Sequence, residues 1–412
     1  MTDKIIINLQ QLLERNTITT QIALEDRRLV SQLARQQEFS YLYEIALAIE
    51  HLTKEERGDT FDRARSATAQ HYLEKLYQSI EQVLFTLRGG IDTLIDMARI
   101  RPVFLSYSFA PGWQRERYYA SRIVAYQQPN DVLAAMERHA TNEKDFEMLF
   151  LLAHELVLQA PANSNGLSNH PLMKRLHQQM RAQAHPLGWL PLYKTTLEQE
   201  ITGKIPLFGA SEQPSYEFAL THWQSGGHEP GIPPTSEGVY AHIQRMSVTN
   251  DSAYRAICSA VLNWMVESNG RFEAHCVAFS VPFPQELFTP SMLVGFGFEA
   301  LDGVDEADIT FQPISAHETY SILFRSAAIG GDIRGGCFGA YGRLYAWQSL
   351  AGLTGVPAGA SIEAICEVAQ QSTCCYVWAP SQWFYQIVTE FGLFVLRPDR
   401  RSGAFLAATD TD

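Results

Sequence analysis

Residues 330–355 read GGDIRGGCFGAYGRLYAWQSLAGLTG, and the interpretation of the second half of the chain depends on this stretch. Six glycines fall within its first thirteen positions, and an aromatic segment with a helical pattern follows them. Glycine tolerates positive φ and lets a second backbone or an anion approach closely. The stretch therefore fits a tight connection from a strand to a helix, an anion-binding loop, or a turn that presents a nucleophile.

An anion-binding loop is the first alternative to a tight connection. Gly336, Gly339 and Gly342 recur at every third position, and Arg334 and Arg343 bracket them. Backbone N–H groups at a helix N-terminus bind anions well, and arginine adds charge. The stretch is not GxGxxG, however, and no lysine follows Lys204, so a Walker-type site is excluded. We favour the tight connection.

A cysteine nucleophile is the second alternative. Cys337 precedes the predicted helix, where the helix dipole and a nearby arginine lower a thiol pKa. A cysteine hydrolase also needs a histidine as base and an acid to orient it. His317 or His275 would be the base and Asp332 or Glu318 the orienting acid, although the sequence alone does not bring these residues together.

The hydrophobic pattern around this stretch indicates mixed strands and helices. We predict strands at 271–281, 291–301, 308–314 and 318–327, helices at 341–352 and 361–371, a short strand at 374–378, and a helix at 381–391. GLFVLRP and GAFLAA, joined by the turn DRRSG, predict a closing hairpin. The predicted fold class is α+β, with a mixed or antiparallel sheet and helices after an all-helical N-terminal array.

The first half of the chain differs, because its apolar residues recur with helical spacing. Three stripes lie within 42–52, 73–87 and 146–157. We predict an irregular, solenoid-like helical domain over 1–201 and an α+β domain over 239–412. Residues 202–238 hold five prolines and six glycines and are predicted to be a linker or a long loop.

Composition excludes several functions. The net charge of −13 and the lack of a basic stripe argue against nucleic acid, and no apolar run is long enough to span a membrane. The segment EALDGVDEAD (299–308) fails the calcium-loop spacing, the cysteines fit no zinc pattern, and Leu158 breaks an HExxH motif at His154. We predict no metal, no cofactor, reduced cytoplasmic thiols and a basic protein partner.

Two segments resemble an uncharacterised family of bacterial proteins, a domain of unknown function: GAYGRLYAWQSLAGLTG (339–355) and WFYQIVTEFGLFVLRPDRRSGAFLAATDTD (383–412). The resemblance covers roughly the last seventy residues. It implies a bacterial, cytoplasmic protein and assigns no activity, cofactor or catalytic residue. The chain is also similar in character to the accessory and immunity proteins of bacterial conflict systems.

These observations predict a cytoplasmic protein-interaction module without catalysis, with an immunity or accessory role in a bacterial conflict system. The alternative is an enzyme centred on residues 330–342, either a cysteine hydrolase that uses Cys337 or an anion- or nucleotide-binding transferase.

Overall fold

The computed structural model describes residues 20–55, 63–100, 115–160, 166–199, 201, 245–267, 269–284, 287–331, 336–384 and 389–410. The chain forms two compact units, Met1–Gln159 and Ala160–Asp412. Residues 202–238, the predicted linker, lie outside the described residues, so the domain boundaries stated from the sequence stay a prediction.

The described part of the N-terminal unit is helical. Its helices are α1 (Thr20–Arg35), α2 (Phe39–Glu55), α3 (Arg63–Thr86), α4 (Ile91–Met97), α5 (Arg115–Tyr126), α6 (Pro129–His139) and α7 (Phe146–Gln159). The three predicted stripes lie in α2, α3 and α7, which confirms these helices. Along α7 every residue from Met148 to Leu158 is buried, because its sequence is apolar on nearly all sides.

The described part of the C-terminal unit contains helices and strands. Its helices are α8 (Gly166–Asn169), α9 (Pro171–Ala182), α10 (Asp251–Cys258), α11 (Leu262–Glu267), α12 (Pro290–Val294), α13 (Ala316–Ile329), α14 (Phe338–Thr354) and α15 (Ile362–Gln371). Its strands are β1 (Arg245–Ser247), β2 (Arg271–Phe279), β3 (Thr310–Ile314), β4 (Thr373–Trp378), β5 (Thr389–Leu396) and β6 (Ser402–Asp410). None of the described helices is both long and apolar enough to span a bilayer.

The six strands form one antiparallel sheet in the order β1-β2-β6-β5-β4-β3. The predicted hairpin is confirmed, since β5 and β6 pair from Leu396↔Gly403 outward. Asp399 fixes its turn by accepting the backbone N–H of Arg401 at 2.8 Å and of Ser402 at 3.1 Å. An antiparallel sheet after a helical first half confirms the predicted α+β class.

Alternate residues of a strand point to opposite faces of the sheet, and both faces are covered by other elements. Helices α10, α13 and α14 contact the strands. A separate aromatic core includes Phe394 and Phe405 from the sheet and Phe283 and Phe298 from the connection after β2. The rings of Phe298 and Phe405 stack with centroids 4.1 Å apart.

Helix α14, which contains the aromatic part of 330–355, packs closely against two other helices. A Cβ atom on Gly342 would lie 2.6 Å from the Cβ of Ala328 on α13. A Cβ atom on Gly352 would lie 2.6 Å from the backbone nitrogen of Ile257 on α10. The glycines therefore allow the helix backbones to pack closely, as the predicted tight connection requires. The element before them, however, is a helix and not the predicted strand.

Three predicted elements are wrong. The strand at 318–327 is helix α13, because Ser315 and Glu318 form a capping box that starts a helix. The strand at 291–301 is α12 followed by a 3₁₀ turn at Glu299–Leu301. Of the helix predicted at 381–391, the described residues are not helical, since 381–384 are irregular and Thr389 begins β5. Each segment was correctly predicted to be apolar, but the spacing of its apolar residues was assigned to the wrong type of secondary structure.

We expect Gly342→Ala to destabilise the protein by about 1–3 kcal/mol, because the added methyl group meets the backbone of Ala328 and forces α13 and α14 apart. Denaturant unfolding followed by circular dichroism measures the loss. Gly166→Ala is the matched control, since its Cβ would meet nothing within 4 Å. Equal unfolding midpoints for both variants and the unsubstituted protein would contradict the proposed close contact.

Candidate functional site

The glycine-rich stretch leads to a buried ion pair. Arg343, in the second turn of α14, has no exposed surface, and neither does Glu198 at the end of the 3₁₀ turn Thr196–Glu198. The Arg343 Nε lies 2.5 Å from Glu198 Oε1, and Nη2 donates to Oε2 at 2.9 Å. This is the two-pronged geometry in which arginine binds carboxylates most strongly.

The remaining donors of Arg343 bind the chain that leads to Glu198. Nη1 donates to the carbonyl oxygen of Pro191 at 2.8 Å, and Nη2 donates to that of Tyr193 at 2.7 Å. Glu198 is equally well satisfied, because it also accepts from Trp347 Nε1 at 2.9 Å, Tyr320 Oη at 3.0 Å and the N–H of Thr195 at 2.9 Å. We call these residues and backbone groups the Arg343–Glu198 cluster.

The electrostatics of the cluster favour both charges. Burial acts to raise the pKa of Glu198, but the Arg343 charge and the hydrogen bonds to the carboxylate outweigh it, and the pKa falls below the usual range. Burial acts to lower the pKa of Arg343, and the Glu198 carboxylate reverses that shift. The pKa of Tyr320 lies well above its usual value because of burial and the neighbouring carboxylate.

The cluster therefore binds segment 191–198 to α13 and α14, and its chemistry is internal. The anion site predicted at Arg334, Gly336, Gly339, Gly342 and Arg343 loses one of its two cations, because Arg343 already binds Glu198. Arg334 lies outside the described residues. A Cβ on Gly336 would approach the carbonyl carbon of Ile329 to 2.6 Å, so this glycine serves close approach to the end of α13. Gly339 is buried in the first turn of α14.

Cys337 lies directly before α14 and is 2% exposed. Its backbone N–H donates to the carbonyl oxygen of Ala327 at 2.8 Å, which ties the start of α14 to α13. The next residue, Phe338, has a φ of 59°, a left-handed conformation that is uncommon outside glycine. The predicted nucleophile is thus at a helix start, as expected, but inside the protein.

The two predicted bases have other contacts. His317 Nδ1 lies 2.8 Å from the carbonyl oxygen of Leu197. It sits in the first turn of α13, and Ala327, which binds Cys337, lies about 15 Å further along that helix. His275 Nε2 lies 2.7 Å from Glu273 Oε1, and its ring stacks on Phe298.

Of the two predicted orienting acids, Asp332 lies outside the described residues, and Glu318 accepts the backbone N–H of Ser315 at 2.7 Å. The cysteine hydrolase built on these residues stays a prediction.

The thiols whose pKa is raised are poor nucleophiles at neutral pH. Burial raises the pKa of Cys258 to about 12 and that of Cys366 to about 11. Burial also raises the pKa of Cys374 and Cys375. All six cysteines are buried and free, and a buried free thiol packs like a small apolar side chain.

The structure describes no group of three or more histidine, cysteine, aspartate or glutamate side chains that could hold a metal ion.

A second buried charge cluster lies in the N-terminal unit, where sequence analysis named no site. Arg115 donates through Nη2 to Tyr119 Oη at 2.9 Å, to Glu81 Oε1 at 3.4 Å and to Tyr77 Oη. Tyr119 donates to Glu81 at 2.5 Å. Burial raises the pKa of Glu81 and Tyr119. The cluster joins α3 to α5 through Arg115 Nη2, while the buried Nε of Arg115 has no hydrogen-bond partner among the described residues.

Sequence reasoning missed Glu198, although two signals point to it. Thr195 and Glu198 have the spacing of a capping box, and the Glu198 carboxylate accepts the backbone N–H of Thr195. An arginine inside an apolar helical pattern also requires a buried carboxylate, because a buried charge without a partner is costly. Neither signal identifies which acidic residue pairs with Arg343, since the two lie far apart in the chain.

The chain belongs to a family of unknown function (DUF6183), which it matches over residues 25–412. This match confirms the resemblance seen in the C-terminal segments and extends it to most of the chain. Neither the curated proteins nor the solved structures contain a match to the sequence or the fold.

We expect Glu198→Gln to cost about 3–5 kcal/mol of unfolding free energy, because it leaves the Arg343 charge buried without a carboxylate. Denaturant unfolding measures the loss. The double variant Glu198→Gln, Arg343→Met removes both charges and should recover part of it. A single variant as stable as the unsubstituted protein would contradict the assignment.

The pH dependence gives an independent check. The folded pKa of Glu198 lies below its unfolded value of about 4.3, so the pair stabilises the protein above that pH and the stabilisation is lost as pH falls further. Glu198→Gln should therefore lose less stability between neutral and acid pH than the unsubstituted protein. Parallel pH profiles would argue that Glu198 is not ionised in the fold.

Proposed function

We propose that the chain, as a member of this family, binds another protein in the cytoplasm and performs no catalysis. The observation that carries the proposal is the Arg343–Glu198 cluster. The residue best placed for anion chemistry in the glycine-rich stretch binds an internal carboxylate and two backbone carbonyls instead. Groups used in this way stabilise a scaffold and do not turn over a substrate.

The acidic segment 299–308 is the surface that we propose for a basic partner. Glu299, Asp302, Asp305 and Asp308 are all exposed. None of these four forms an ion pair with another described residue. Exposed carboxylates of one sign steer a cationic partner towards them.

The acidic segment is also held in place. Glu273 accepts the backbone N–H of Glu299 at 2.7 Å and that of Ala300 at 2.8 Å. Ala300, Leu301 and Ile309 belong to the aromatic core. A surface fixed in this way loses little conformational entropy on binding.

The wider setting is part of the same proposal. An immunity or accessory role in a bacterial conflict system would use a rigid acidic surface to bind and neutralise a basic partner. The six free cysteines support a reducing compartment, since disulfides are rare there.

The alternative proposal is an enzyme centred on residues 330–342, either a cysteine hydrolase or an anion- or nucleotide-binding transferase. One observation favours it: Phe338, next to Cys337, has a positive φ at the start of α14. Backbone strain of this kind occurs at functional sites, where it positions a reactive group.

We expect affinity capture from the organism that encodes the chain to recover a basic protein in stoichiometric amount, bound less at high salt because exposed charges are screened. Substitution of Asp302, Asp305 and Asp308 by asparagine should abolish the capture. The matched control replaces the exposed Glu44, Glu137 and Glu143 by glutamine and should leave it intact. Recovery of no partner under gentle conditions, or equal loss in both triple variants, would count against the proposal.

We expect Cys337 to react with iodoacetamide at neutral pH about as slowly as the other five cysteines, because all six are buried. Mass spectrometry of time-resolved alkylation measures the six rates. Much faster alkylation of Cys337, abolished in a His317→Ala or His275→Ala variant, would support the cysteine hydrolase instead.

A further inference from the structure

Helix α1 presents a row of polar and cationic side chains on one face. Arg27, Arg28, Ser31, Gln32 and Arg35 line a groove of about 580 Å³. Their spacing of three to four residues places them together along the helix. The row from Arg27 to Arg35 is about 12 Å long at the 1.5 Å rise of a helix.

The opposite face of α1 is buried, so the groove rests on a fixed support. Val30, Leu33 and Ala34 are each at most 2% exposed. Asp26, which is buried beside them, accepts a hydrogen bond from Tyr72 of α3. The cationic face is therefore the outer side of a helix whose inner side belongs to the core of the N-terminal unit.

The three arginines of the groove are exposed, and within the described part of the chain none of them has an ion-pair or hydrogen-bond partner for its guanidinium. Other exposed arginines of the same unit do have such partners, since Arg88 binds Asp131 and Arg138 binds Asp92. In a protein with a net charge of −13, three cations on one helix face without an acidic partner among the described residues are a local reversal of charge. Such a face attracts a ligand of the opposite sign.

We propose that this face of α1 binds an acidic peptide segment of another protein. Arginine binds carboxylates through two parallel N–H donors, so Arg27, Arg28 and Arg35 would each hold an aspartate or glutamate. Ser31 and Gln32 between them offer hydrogen bonds to the peptide backbone. This proposal does not rest on the acidic segment 299–308, which lies in the other unit and carries the opposite charge.

The length of the groove sets the spacing of the acidic residues. Carboxylates four positions apart in an extended peptide are separated by about 13 Å, which matches the row from Arg27 to Arg35. The site therefore takes an extended segment with acidic residues four positions apart, one near Arg27 and Arg28 and the other near Arg35. A nucleic acid fits less well, because three cations give few phosphate contacts.

The test uses the full chain and a labelled synthetic peptide of about ten residues with glutamate at alternate positions. Fluorescence anisotropy at low salt measures its binding to the unsubstituted protein and to the variant Arg27→Gln, Arg28→Gln, Arg35→Gln. We expect the variant to bind at least about tenfold more weakly, and we expect salt to weaken the unsubstituted complex. The variant should fold normally, since its substituted side chains are exposed.

The control variant Lys174→Gln, Arg175→Gln, Arg181→Gln removes the same charge from exposed positions on α9 and should bind the peptide as the unsubstituted protein does. Equal weakening in both variants, or no binding of the glutamate peptide, overturns the proposal. Tighter binding of an oligothymidylate of equal charge through the same arginines assigns the groove to nucleic acid. A dimer in sedimentation that the α1 substitutions dissociate assigns it to a second copy of the chain.

Discussion

The C-terminal unit depends on one buried ion pair, that between Arg343 and Glu198. Both side chains are fully inside, and every polar atom of the carboxylate has a partner. A buried charge is unfavourable unless its counter-charge and hydrogen bonds are in place, so the pair allows only one position for the segment that carries Glu198. Apolar packing of α14 alone would not select that position, since many arrangements bury similar area.

The same helix shows what the sequence could and could not predict. The glycines and aromatic residues of 330–355 predicted a close backbone approach and a helix, and both exist, because these features are local. The preceding element was predicted as a strand and is a helix, since the capping box at Ser315 and Glu318 was not weighed against a short apolar run. Long stripes such as those of α3 and α7 were predictable because many residues repeat one period.

The candidate site was harder to predict than the fold. Cys337 and Arg343 were chosen for what a thiol or a guanidinium does at a helix start, and Cys337 does lie there, whereas Arg343 lies in the second turn. Their neighbours come from distant parts of the chain, namely Glu198 for Arg343 and Ala327 for the backbone of Cys337. Spacing along a sequence does not encode such contacts. Charged surface residues were easier to predict, because the exposure of a charged side chain can be predicted without knowing which residue lies beside it.

The position of β6 in the sheet has a consequence for how the chain folds. Strand β6 lies between β5, its hairpin partner, and β2. Arg271 of β2 pairs with Thr409 of β6, and most of the sequence of the C-terminal unit lies between these two residues. Pairing of β5 with β6 closes a short loop and loses little conformational entropy. Pairing of β2 with β6 closes a long loop and loses more. Ala404 to Ala408 of β6 are wholly buried in the finished sheet. A partly folded chain would therefore expose an apolar, unpaired strand edge, and its productive folding competes with intermolecular strand pairing.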